Sequence, residues 1–192
     1  MHAIHPHKSR CPWCGEDPLY QRYHDEEWGK PVYDDETLFE FLVLESFQAG
    51  LSWITILRKR ENFRKAFDHF DYRKIALYGP EKIESLMNNA GIVRNRLKIE
   101  ATISNASRFM EIQQEYGSFS SFIWKYVDGQ PLVNHPLSMK DLPASTPLSD
   151  QIAADLKKRG FRFLGSTVMY AHMQATGMVN DHLANCWIRT GE

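Results

Sequence analysis

Apolar residues in this chain recur at three- and four-residue intervals, and no segment alternates apolar with polar over the length of a strand. That period is the signature of helices, so the expected fold class is all-α. The spacing predicts helices over 35–48 and 53–67, the second with Trp53, Ile56, Leu57, Phe63 and Phe67 on one side and "RKRE" outside. Short helices are expected at 71–77 and 80–89, and a long one over 94–116 that stops at Gly117. Another is expected over 119–127, ended by "DGQP". Beyond the Pro- and Ser-rich "VNHPLSMKDLPASTPLS", which reads as a loop, helices are expected in "DQIAADLKKRG" and in "STVMYAHMQATG", the latter with Ser166 as N-cap. The last helix is expected to start near Asn180. The aromatic stretch "CPWCGEDPLYQRYHDEEWGKPVY" reads as irregular.

With 192 residues the chain can bury a sizeable core in one domain. Residues 1–10, "MHAIHPHKSR", are expected to be a disordered tail without the apolar core of a signal peptide, which leaves a single domain over 11–192. Charge is balanced, 23 Lys+Arg against 24 Asp+Glu, so any affinity for nucleic acid must come from a local patch. No apolar run approaches the ~20 residues of a membrane span. Three cysteines, an odd number, with no secretory signal, argue against a disulfide framework and for a reducing, cytoplasmic compartment.

One position breaks the apolar pattern. Leu38, Phe41, Leu42, Glu45 and Ala49 fall at helical offsets, and the carboxylate sits where a hydrophobe is called for. An ion pair with a buried arginine would explain it. So would a cationic guest, because Trp13, Tyr20, Tyr23 and Trp28 crowd the N-terminal stretch and Trp53 follows closely. Flat electron-rich rings grip a flat cation.

Two further groups carry chemistry. Cys11 and Cys14 form "CPWC", and His182 and Cys186 are four apart near the other end. On a helix the latter pair would face one way. A zinc ion held from both ends would tie the termini together. From spacing, Cys11, Cys14, His182 and Cys186 are as good a tetrahedral set as one that uses His24; buried free cysteines and a surface histidine are the plain alternative. In "SLMNNAGIVRNRLKIEA" a helix end, the turn Gly91-Ile92-Val93 and a new helix start adjoin Arg94, Arg96 and Lys98. Unpaired N–H groups at a helix start favour an anion, so this is a candidate phosphate cradle, although Val93 stands where the common helix-hairpin-helix motif has a second glycine. An ordinary helical corner with a solvated basic face is the plain alternative. The basic "LKKRGFRF" reads as a solvated face.

Taken together, "DPLYQRYHDEEWG", "ESFQAGLSWITILRKRENFRKAF", "AGIVRNRLKI", "LKKRGFRFLGST" and "VNDH…C" closely resemble the 3-methyladenine-DNA glycosylase I family, in order and from Cys11 to Cys186. The resemblance implies an all-α helix-hairpin-helix glycosylase fold, with a hairpin-containing lobe over about 35–130 packed on a lobe formed by both termini. It implies a structural zinc on Cys11, His24, His182 and Cys186, which sets Cys14 aside. It places base recognition and catalysis on Glu45, stacking on Trp53 and Tyr23, and the pocket lining on Tyr20, Trp13 and Trp28. Gly50 and Leu51 would probe the gap left in the duplex, and Gly91, Ile92, Val93 and Arg94 would anchor phosphate. The implied activity is monofunctional: a base flipped from double-stranded alkylated DNA is released as free 3-methyladenine, leaving an abasic site. Between Arg94 and Val127 there is no Asp, the only acids being Glu100, Glu111 and Glu115. This agrees with a substrate whose own positive charge weakens its bond to the sugar. The expected state is a monomer. A zinc-stabilised binder of alkylated DNA without catalysis is the rival reading. A zinc hydrolase is a weaker one, because four protein ligands leave no place for activated water.

Overall fold

The computed structural model of the chain describes residues 8–191. Ten α-helices carry the described residues: α1 (Pro18–Glu26), α2 (Asp35–Gln48), α3 (Trp53–Ala66), α4 (Tyr72–Ile75), α5 (Pro80–Met87), α6 (Arg96–Tyr116), α7 (Phe119–Trp124), α8 (Pro147–Lys158), α9 (Ser166–Ala175) and α10 (Trp187–Thr190). Around α2 pack α3, α6, α7 and α9. Every residue of α2 from Leu38 to Phe47 is buried. A helix enclosed on all sides is the core of its domain, so Glu45 lies in the interior whichever face it occupies. Asp34 caps α2 through Thr37 N–H at 2.8 Å. Asp35 turns away to accept Phe119 N–H and Ser120 N–H at the start of α7, which fixes one helix end on another.

The N-terminal aromatic stretch is not irregular throughout. Asp17 accepts the N–H groups of Leu19 and Tyr20 and Pro18 occupies the first helical position, a pairing that starts α1. Similar adjustments occur elsewhere. The long helix starts at Arg96 rather than at Arg94, capped by Asn95, whose side chain accepts Lys98 N–H. Thr146 caps α8, which starts at Pro147, three residues before the expected start at Asp150. Gly165 precedes α9, with Ser166 already helical.

The C-terminal segment differs most. No helix starts near Asn180. Val179 and Asn180 form a two-residue strand, β2, that pairs in parallel with β1 (Leu132–Val133). Residues 181–186 then run without helix to α10. The helical argument for His182 and Cys186 therefore fails, although both side chains reach the same place by another route. Of the expected tail 1–10, residues 1–7 lie outside the described residues. Lys8 sits over the Trp187 ring, Ser9 carbonyl accepts Trp187 N–H at 2.7 Å, and Arg10 pairs with Asp25 at 2.7 Å. The two ends of the described chain thus lie together. No helix among the described residues is long and apolar enough to cross a membrane.

Candidate functional site

A cavity of about 260 Å³ opens where α1, the end of α2, the start of α3 and α9 meet. The five aromatic residues singled out in the sequence, Trp13, Tyr20, Tyr23, Trp28 and Trp53, all line it, and so does Glu45. Glu45 is 4% exposed. No hydrogen bond or ion pair of its carboxyl is found among the described residues. The arginine that could have neutralised it is engaged elsewhere: Arg60 donates to Glu40 at 2.5 Å and to Glu27 at 2.6 Å. Burial alone pushes the Glu45 carboxyl up to about 8. Burial pushes Tyr20 up to about 12 and Tyr23 well above its usual range, with the negative charge of Glu45 adding to both. The indole N–H groups of Trp13 and Trp53 are buried without an acceptor. The chamber thus has a carboxyl on its wall that the protein itself leaves unpaired.

Tyr23 and Trp53 do not form parallel plates. Their centroids are 5.6 Å apart and their planes meet at 51°, whereas a ring held between two parallel faces needs about 7 Å. A flat guest in this geometry lies against the two rings rather than between them. Trp13 packs on Tyr20 at 5.0 Å and on Trp28 at 4.9 Å, which completes a continuous wall.

Behind that wall lie Cys11, His24, His182 and Cys186, all buried, their donor atoms within 4.8 Å of one another. Cys186 Sγ is 3.4 Å from His24 Nε2 and 3.5 Å from His182 Nδ1, and Cys11 Sγ is 3.7 Å from His182 Nδ1. A tetrahedral zinc with its usual bond lengths sets sulfur and nitrogen about 3.6 Å apart. The outer ring nitrogens are also engaged. His24 Nδ1 is 2.8 Å from Asp25 and His182 Nε2 is 3.1 Å from Trp28 carbonyl, which turns the other nitrogen of each ring toward the cluster. Cys14 stays outside, with its thiol donating to Cys11 carbonyl at 3.2 Å. The alternative set with Cys14 is thereby replaced by the one with His24. Gly29 packs closely on the cluster: its φ is +76°, which strains other residues, and a Cβ would crowd His182 Cδ2 at 3.1 Å. Cavity and cluster share one partition. Trp13 lies 5.3 Å from His24 and Trp28 lies 4.7 Å from His182, ring to ring, while α1 sends Tyr20 and Tyr23 to one side and His24 to the other.

The turn between α2 and α3 lies at the cavity rim, because Gln48 before it and Trp53 after it both line the cavity. At that rim Gly50 has φ +83° and Leu51 is an exposed apolar residue. The α5–α6 turn holds Gly91 against Asn62 and Asn89, where a Cβ would meet Asn89 Oδ1 at 2.9 Å. Ile92 is buried, Val93 half-buried and Arg94 exposed. The two other cations expected in this cradle are committed elsewhere. Arg96 is paired with Glu84, and Lys98 is 7% exposed with its Nζ on Phe47 carbonyl at 3.4 Å. Lys98 begins the inward face of α6 that continues through Thr102, Asn105 and Phe109, and so cannot meet a phosphate. Glu100, Glu111 and Glu115 form ion pairs with Arg96, Arg108 and Arg159; none lines the cavity.

Sequence reasoning missed the far wall, formed by Met139, Leu142 and Pro143 of the long loop and by Ala171 and Gln174 of α9. Only the loop's Pro-rich composition marked it as unusual, and nothing in it pointed to the cavity.

The sequence model of the methyladenine glycosylase family matches residues 13–190. DNA-3-methyladenine glycosylase 1 of Escherichia coli is 48% identical over 177 residues, 92% of this chain and 95% of that protein. A crystal structure of 3-methyladenine DNA glycosylase I superposes with a TM-score of 0.91 at 51% identity, covering 93% of this chain and 98% of the other. A variant of 3-methyladenine DNA glycosylase I solved in complex with 3-methyladenine superposes with a TM-score of 0.89 at 40% identity, covering 92% and 95%.

Proposed function

The chain belongs to the methyladenine glycosylase family, and we propose that it excises 3-methyladenine from double-stranded alkylated DNA by hydrolysing the bond between base and sugar. The observation that carries this reading is Glu45: a buried carboxyl without a partner, facing a cavity walled by five aromatic residues. Methylation at N3 makes adenine cationic. Base flipping brings it out of the stack into the cavity. There the positive ring offsets the cost of ionising a desolvated carboxyl, and Glu45 accepts hydrogen bonds from its edge. Unmethylated adenine brings no charge, so the same burial is uncompensated. Water adds to the sugar carbon as the glycosidic bond breaks. The bonding electrons go to the base, which leaves neutral, and the water proton passes to solvent. No general acid is needed for a leaving group that departs uncharged. No lysine lines the cavity, and we read the enzyme as monofunctional, its product an abasic site.

Zinc is the ion that two thiols and two imidazoles at these separations fit. When bound it would cross-link the chain ends and stiffen the Trp13–Trp28 partition; with four protein ligands it offers no site for water. In the same reading one domain comprises a lobe around the α5–α6 hairpin and a lobe of the two termini, acting as a cytoplasmic monomer. The helix-hairpin-helix turn Gly91–Arg94 anchors phosphate, and Leu51 enters the space the base leaves.

Incubation of the purified protein with methylated duplex DNA tests the function. Free 3-methyladenine in the supernatant is the expected result; tight binding without released base would mean a damage-binding module instead. Arg94 is an exposed cation of the hairpin for which no ion pair is found among the described residues. Arg94→Ala should weaken DNA binding regardless of sequence and reduce the slope of log affinity against log salt by about 1. An unchanged slope in a filter-binding titration would remove the hairpin from the phosphate contact.

A further inference from the structure

We infer that Gln174, oriented by Asp181, turns its amide oxygen to the cavity as an acceptor, and thereby favours purines with an amino group at position 6 over those with an oxo group. This rests on the glycosylase reading and adds a specificity residue to it. Gln174 Nε2 donates to Asp181 Oδ2 at 2.8 Å. A carboxylate only accepts, so the orientation of the amide is fixed by chemistry. Asp181 is itself held: it is fully buried and also accepts from Tyr170 Oη at 2.5 Å and from Asn134 Nδ2 at 2.7 Å. Gln174 lines the cavity, and its Oε1 has no hydrogen-bond partner and is not among the sealed orphan atoms. The amide nitrogen is therefore turned to Asp181, and the oxygen on the other arm of this cavity-lining residue is unpaired and not sealed off.

The other polar residues of the cavity lack that constraint. Gln48 has no partner among the described residues, so it can turn either end of its amide to a guest. Glu45 can offer an O–H while it keeps its proton and an oxygen when it does not. Gln174 has its nitrogen turned to Asp181 and its oxygen unpaired, so what distinguishes it is the fixed direction of its amide. A 6-amino group donates to it, whereas a 6-oxo group would set two acceptors face to face, leaving both unpaired in a buried site.

3-Methyladenine and 3-methylhypoxanthine differ at this edge and serve as probes, their binding followed by quenching of tryptophan fluorescence. Wild-type protein should prefer the 6-amino base by tenfold or more. Gln174→Met, which fills the same space without the oxygen, should lose about tenfold of that preference, as 3-methyladenine loses an acceptor and 3-methylhypoxanthine is relieved of a repulsive one. An unchanged preference overturns the inference, as does an equal loss for both bases, which would mean that Gln174 only supports the wall. Gln174→Leu gives a second variant, and near-UV circular dichroism checks that each is folded. Should neither fold, 3-methyladenine carrying two further methyl groups on its 6-amino nitrogen tests the wild type directly: affinity equal to that of 3-methyladenine overturns the inference, and a loss of tenfold or more supports it. Wild-type binding of neither base, with no base released from methylated DNA, would sink the glycosylase reading as well. Release of 3-methyladenine without a 6-amino preference would sink this inference alone.

Discussion

Glu45→Gln is expected to cut excision of 3-methyladenine by about 10²-fold and, at the same time, to raise the melting temperature at pH 8. Both effects come from one buried carboxyl. The folded chain keeps the Glu45 proton up to pH about 8, whereas an unfolded chain releases it near 4.5. Between those values the folded state binds more protons, so stability falls as pH rises through the window. At pH 7 the cost is on the order of 3 kcal/mol, and glutamine does not incur it. A gain of that size corresponds to roughly 6–12 °C in a protein of this length, shrinking to little at pH 5. The wild-type kcat/KM should climb with pH and level off above 8 as the free enzyme's Glu45 ionises, a rise that the variant should lack. Calorimetry at pH 5 and 8 together with base-release assays reads both arms. A wild-type excision rate in the variant would take Glu45 out of the chemistry. Equal melting temperatures at pH 8 would mean that its carboxyl has a partner in solution.

Cys186→Ser should abolish stoichiometric zinc binding and lower stability by on the order of 3–5 kcal/mol. The expected fall in melting temperature is roughly 6–20 °C, and prolonged chelation of the wild type should approach the same state. Excision should fall too, although no ligand lines the cavity, because His24 and His182 pack against the Trp13 and Trp28 rings that wall it. Cys14→Ser is the control: its thiol bonds the Cys11 carbonyl rather than the cluster, so metal content should be unchanged. Elemental analysis decides. Full zinc in Cys186→Ser, or its loss in Cys14→Ser, would overturn the assignment of ligands.

The spacing of apolar residues identified most helices, because a 3.6-residue period is a local property that survives whatever the helix packs against. Errors fell where the local signal competes with something distant. Asp17-Pro18 is a helix start, but the dense aromatics of α1 read as a loop. His182 and Cys186 carry helical spacing, yet Asn180 is taken into pairing with Val133, and the segment between reaches the cluster as an irregular turn. Lys98 looked like a phosphate ligand because it is charged; it is buried because α6 turns that face to the C-terminal end of α2.

By itself the sequence determined the helical class, the anomaly of an acid in an apolar helix, and a supply of cysteine and histidine at both ends, since residue type and period are written along the chain. Tertiary structure alone decided that Arg60 is spent on Glu27 and Glu40 and leaves Glu45 bare, and that α9 and a distant loop close the cavity. Those outcomes depend on which side chains become neighbours in space. Burial and pairing, unlike periodicity, are properties of the packed molecule.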